Sequence, residues 1–182
     1  MDGGILAWNG LTAQGPPEAG MTYFGDEDRI GELVSLAWSL EEGSRRFYES
    51  VAELVKDEET RLLLGLLVGA EEQHKQALFT LAAQLKPDTP PPLLKAELLS
   101  DDLTRDTMEG GMRVSKAVAW AKGKDLVSIL EFLMALETNA YDLYLKMERK
   151  MEGKEASAIF SRLAREEAEH LERLTALFEK SI

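Results

Sequence analysis

The sequence contains no cysteine. That excludes disulfides, thiolate-bound zinc or iron–sulfur sites and any cysteine nucleophile, and it fits a reducing, cytoplasmic setting. Aromatic residues make up only 7% of the chain and β-branched residues are sparse, so a sheet would have little to pack with. No run reaches the roughly 18 consecutive apolar residues that a membrane-crossing helix needs. The first residues also lack the basic-then-apolar order of a secretory leader. Basic residues are outnumbered, 21 Lys and Arg against 33 Asp and Glu, for a formal charge of −12. A field of that sign repels phosphate backbones and anionic lipid, so neither nucleic acid nor membrane is an expected partner, and it attracts cations.

What is present favours helix. Leu, Ala, Glu and Lys abound, all good helix formers, and 182 residues with 45% apolar and 30% charged content suit one soluble domain with a real core. Residues 1–25 are rich in Gly and Pro and show no helical period, which predicts an extended segment. Residues 26–182 read as a single all-α domain. Apolar residues recur at helical spacing over about 28–55, 60–85, 125–151 and 154–180, four long helices in all. The polar stretch Lys56-Asp57-Glu58-Glu59 interrupts the first pair, Gly153 the second, and Pro87 with Pro90, Pro91 and Pro92 stops the second helix. Asp125 is placed to cap the third long helix. The connection 86–124 is long enough to cross the bundle, with short helices expected near 93–99 and 112–122, separated by Gly110-Gly111.

The two halves repeat at one offset. Glu41 and Glu137 stand 96 positions apart, and so do Tyr48 and Tyr144, Glu71 and Glu167, and His74 and His170. Apolar positions follow the same shift: Leu36 with Phe132, Leu67 with Leu163, Leu78 with Leu174. A duplicated helical hairpin explains this directly. The midpoint of Glu41 and Glu71 is residue 56, in the polar stretch, and that of Glu137 and Glu167 is 152, beside Gly153. Residues equidistant from an antiparallel turn lie level, so each hairpin brings its two glutamates to one height, about 22 Å from its turn at 1.5 Å per residue. Each candidate also shares an apolar stripe, whereas Glu42 lines up with Ser39, Arg46, Glu49 and Glu53. Carboxylates turned inward without partners are costly, so four of them demand cations.

The chemistry follows from the residue types. Glu-x-x-His places both side chains on one helix face, and it occurs twice, as Glu71-Glu72-Gln73-His74 and Glu167-Ala168-Glu169-His170. With Glu41 and Glu137 the set is four carboxylates and two imidazoles. Oxygen and imidazole without sulfur suit two iron ions, or manganese. The expected arrangement has Glu71 and Glu167 bridging, with Glu41 beside His74 and Glu137 beside His170 as terminal ligands. Tyr48 and Tyr144 read first as core aromatics with satisfied hydroxyls, and otherwise as donors to metal-bound carboxylates. Trp38 and Met134 read as core, and Trp120 as a clamp over the bundle end or a dimer contact.

On these motifs the chain, over about 26–180, resembles the rubrerythrin and ferritin-like superfamily: Glu41 with Phe47-Tyr48, Glu137 with Tyr141 and Tyr144, and the two Glu-x-x-His units. The resemblance implies a ferritin-like four-helix bundle of two helical hairpins joined by a long crossover, and a di-iron centre that reacts with peroxide or dioxygen. Two departures stand out. Ala140 occupies the place where rubrerythrins carry a further glutamate, and the cysteine-ligated rubredoxin domain has no counterpart, so electrons must come from a separate donor protein. The segment Gly3-Gly4-Ile5-Leu6-Ala7-Trp8-Asn9-Gly10 resembles the closing stretch of a rhodanese-like domain, which implies an upstream or separate domain of that kind as a partner. The leading functional expectation is therefore a di-iron oxidoreductase, a homodimer by default. The competing readings are ferroxidase-type iron handling, which needs a closed cage, and a structural metal-binding module.

Overall fold

The computed structural model describes residues 30–85 and 106–182. Five helices occupy them: α1 (Ile30–Leu54), α2 (Glu58–Leu85), α3 (Val114–Ala121), α4 (Leu126–Lys150) and α5 (Glu155–Ser181), with a 3-10 turn at Glu109–Gly111 ahead of α3. The N-terminal segment 1–25, with its rhodanese-like stretch, and the short helix expected near 93–99 lie outside the described residues.

The helix ends follow from local chemistry. Asp57 opens α2: its Oδ2 accepts the Thr60 backbone N–H at 2.8 Å and the Thr60 hydroxyl at 2.7 Å, while Glu58 and Glu59 place negative charge on the first turn. Asp125 opens α4 by accepting the Ser128 N–H at 2.7 Å, as its position in the sequence predicts. Gly153 supplies the positive φ of 78° that turns α4 back into α5. The breaks at residues 55–57 and 151–154 fall on the midpoints of the two glutamate pairs.

Each hairpin packs along its own length, α1 on α2 and α4 on α5, and α2 and α5 touch across the bundle. Side chains join the remaining pair: the Phe47 ring of α1 meets the Phe132 ring of α4 edge-on at 5.3 Å. The hairpins point in opposite directions. Val55, beside the first turn, shares an apolar cluster with Ile129 of early α4 and Leu177 of late α5. Met151 and Ala156, beside the second turn, cluster with Val34 and Leu81 at the other end. The end of α2 and the start of α4 therefore lie at opposite ends of the bundle, and α3, which precedes α4, packs against α1. Trp120 on α3 meets Phe132 with ring centroids 4.8 Å apart and the planes tilted by 36°.

Two apolar clusters thus fill the ends of the bundle. Leu64, Leu67, Leu130 and Leu133 belong to one, and Leu78, Phe160, Leu163 and Tyr144 to the other. Burial of such side chains contributes roughly 1.5–3 kcal/mol each, and it holds the polar layer between them in place.

Candidate metal centre

All six residues singled out by the repeat meet in that layer. Glu41 comes from α1, Glu71 and His74 from α2, Glu137 from α4, and Glu167 and His170 from α5. All are buried, His170 the least so at 7% exposed. They form two groups whose ligand atoms lie within 4.8 Å of one another: Glu41, Glu71, His74 and Glu167, and Glu137, Glu167 and His170. Glu167 belongs to both.

The distances show why. His74 Nδ1 lies 3.3 Å from Glu41 Oε2, 3.3 Å from Glu71 Oε2 and 3.0 Å from Glu167 Oε1. His170 Nδ1 lies 3.0 Å from Glu137 Oε2 and 3.1 Å from Glu167 Oε2. One carboxylate therefore turns an oxygen to each imidazole, and the two rings stack with centroids 5.7 Å apart and planes 26° from parallel. A single Nδ1 has at most one proton to offer, yet three carboxylates crowd that of His74. Glu71 Oε2 and Glu167 Oε1 are left without a hydrogen bond among the described residues. Buried oxygens in excess of the available donors are what a cation satisfies.

Supporting contacts cross between the hairpins. The Tyr48 hydroxyl of α1 donates to Glu137 Oε1 on α4, and the Tyr144 hydroxyl of α4 donates to Glu41 Oε1 on α1. The repeat makes this a reciprocal exchange. Each terminal glutamate thereby keeps one oxygen pinned by a tyrosine and presents the other to a histidine. The tyrosines are core aromatics with satisfied hydroxyls, and the acceptors they satisfy are carboxylates of the site.

Two residues escaped the sequence. Glu166 places Oε2 3.0 Å from His74 Nε2, an ion-pair contact without hydrogen-bond geometry, since Nε2 has no hydrogen-bond partner among the described residues. Its counterpart in the repeat is Ala70, so a search for matched pairs passes over it. Glu109 sits in the 3-10 turn of the connection, 3% exposed, and its counterpart at offset 96 falls in the N-terminal segment, outside the duplicated hairpins. No periodicity marks it. By contrast Glu42, expected on the outer face, pairs with Arg45 at 2.9 Å and Lys75 at 2.6 Å. Lys75 also sits over the half-buried Trp38 ring, 4.9 Å from its centre.

The electrostatics follow from burial and crowding. Burial pushes Glu41 up to about 7. Burial and the neighbouring carboxylates push Glu71 and Glu137 well above the usual range. Glu167 goes the other way: against the burial penalty, its contacts with His170 and His74 hold it well below that range. His170, despite burial, is pushed up to about 10 by Glu137 and Glu167, and His74 is raised by Glu41, Glu166 and Glu167. The cluster draws positive charge strongly enough to gather protons where no other cation is supplied. The donor set of four carboxylates and two imidazoles fits a pair of oxygen- and nitrogen-loving metal ions. At −4 for the ionised carboxylates, it also balances two divalent cations.

A family model described as rubrerythrin matches residues 32–178. A solved structure of a hypothetical protein from Pyrococcus furiosus is similar at a TM-score of 0.66, with 24% sequence identity, over 90% of this chain and 94% of that one. That likeness is one of fold. No curated protein matches the chain. Among the described residues no helix is long and apolar enough to cross a membrane.

Proposed function

This chain belongs to the rubrerythrin family, and from that premise we propose that its buried cluster holds a pair of iron ions and works as an oxidoreductase toward peroxide or dioxygen. Manganese suits the same donors. The observation that carries the reading is Glu167, one carboxylate facing both histidines, with its own Oε1 and Glu71 Oε2 left without a hydrogen bond among the described residues.

The roles divide among the residues as follows. Glu167, which faces both histidines, would be shared by the two metal ions, and Glu71, grouped with Glu41, His74 and Glu167, would be the other shared carboxylate. Glu41 with His74, and Glu137 with His170, would complete the two ends through the oxygens and Nδ1 atoms that face one another. Tyr48 and Tyr144 fix the remaining oxygens of Glu137 and Glu41. When bound, an iron pair supplies the two electrons that peroxide reduction takes. The apolar clusters above and below the layer exclude bulk water, and His170, at 7% exposed, is the least buried of the six.

The sequence has no cysteine, so a separate electron-donor protein in the cytoplasm would return the two electrons that peroxide reduction takes. The test is anaerobic loading with ferrous iron followed by a stoichiometric pulse of peroxide. Two irons per chain, with a ferric absorption band rising within the mixing time and bleached again by a reductant, is the expected result. Iron that binds but ignores both peroxide and oxygen would reduce the site to a structural metal module.

A further inference from the structure

Besides its six-residue cluster, the bundle buries one more carboxylate among the described residues, that of Glu109. It is 3% exposed, and neither of its oxygens meets a hydrogen-bond donor on another described residue. Its charge acts on Glu71, Glu167 and Glu137, on Glu41 and on the Tyr48 hydroxyl. An acid felt by all four glutamates is buried near them, outside the two groups whose ligand atoms lie within 4.8 Å of one another. Placing a fifth carboxylate among four, with no partner of its own, is costly unless a cation is there to share.

The backbone is arranged to put it there. Thr107 and Arg113 form an antiparallel bridge, and Met108 N donates to Met112 O at 3.0 Å, so residues 107–113 close into a tight loop. Met108, fully buried, anchors the loop in the core. The loop backbone lies directly on α1 at Gly43: a Cβ there would stand 2.1 Å from Thr107 O and 2.8 Å from Met108 Cα. On the α4 side Gly110, at φ +72°, comes against Asn139. Glycine at 43 is thus the condition for the loop to come close enough to insert Glu109.

We propose that Glu109 is a further ligand of the metal pair, a fifth carboxylate delivered by the crossover connection rather than by a long helix. The inference rests on the metal-pair reading of the six-residue cluster. It makes the connection part of the centre, with Gly43 and Met108 as the residues that position it. If Glu109 were only a neutral acid packed in the core, Gln would replace it without any consequence for metal.

Cobalt(II) is the probe, because its visible bands report the number and kind of ligands. Chelator-stripped wild type, Glu109→Gln and Gly43→Ala are titrated with cobalt(II), and melting is followed with and without it. Wild type should bind two ions per chain. Glu109→Gln should melt higher than wild type when stripped, because burial and the neighbouring carboxylates push the Glu109 acid well above its ordinary range and the amide carries no such ionisation cost. It should bind cobalt about tenfold or more weakly, with altered visible bands and a smaller gain in melting temperature. Gly43→Ala, with every carboxylate intact, should reproduce the altered bands by lifting the loop away. Wild-type affinity and bands in Glu109→Gln, or loss of its fold when stripped, would overturn the proposal. Wild-type bands in Gly43→Ala would overturn delivery by the connection. No cobalt bound to wild type would sink the six-residue centre itself, a failure distinct from an unchanged Glu109→Gln.

Discussion

Stripped of metal, the protein should lose stability as pH rises, the reverse of the usual acid denaturation. Glu41 is the residue from which the size can be worked. Burial raises it from 4.5 to about 7 in the folded chain. Between those values the folded state keeps a proton that the unfolded state has released, so the associated stability is complete below 4.5 and is lost as pH rises through about 7. At 1.36 kcal/mol per unit, Glu41 accounts for at most about 3 kcal/mol. Glu71 and Glu137, pushed the same way, add to the decline. His170, raised from 6.5 to about 10, extends it to higher pH with the same sign. Glu42, lowered to about 2, acts only below 4.5 and does not mask the effect. The assay is urea unfolding of chelator-treated protein at pH 5, 6, 7 and 8, beside Glu41→Gln. Wild type should weaken steadily across the series, and Glu41→Gln should lose a large part of that slope. A wild-type curve that is flat or rises with pH, or an unchanged slope in Glu41→Gln, would refute the burial argument.

Other substitutions separate the roles. Glu71→Ala and His170→Ala should each lose metal, and Glu167→Ala should lose both ions because it serves both groups; Glu42→Ala should keep two per chain, all read by elemental analysis after dialysis. Tyr48→Phe and Tyr144→Phe should still bind two ions but roughly tenfold more weakly, measured by competition with a chelator. Leu64→Ala, fully buried in one apolar cluster, should cost roughly 2–5 kcal/mol in urea unfolding without changing metal stoichiometry.

The hairpins and the six-residue cluster were legible because duplication and helical period repeat the same residues at a fixed offset. Glu41 and Glu137, His74 and His170, and the turns at residues 56 and 152 all come from that arithmetic. Tyr48 and Tyr144 were visible as a matched pair, but their crosswise donation to Glu137 and Glu41 depends on how the hairpins dock. Glu166 and Glu109 lay beyond reach for a different reason. The first faces Ala70 across the repeat, and the second sits in a connection whose path is set by contacts such as Thr107 on Gly43. Gly110-Gly111 read as a spacer between short helices. In the structure it forms the turn that carries a buried glutamate inward.

Anomalous diffraction at the iron edge from crystals loaded anaerobically with ferrous iron tests the centre most directly. Two peaks are predicted, one among Glu41, Glu71, His74 and Glu167 and the other among Glu137, Glu167 and His170, with Glu167 between them. A single peak, or iron bound only at surface carboxylates such as Glu42 or Glu72, would contradict it.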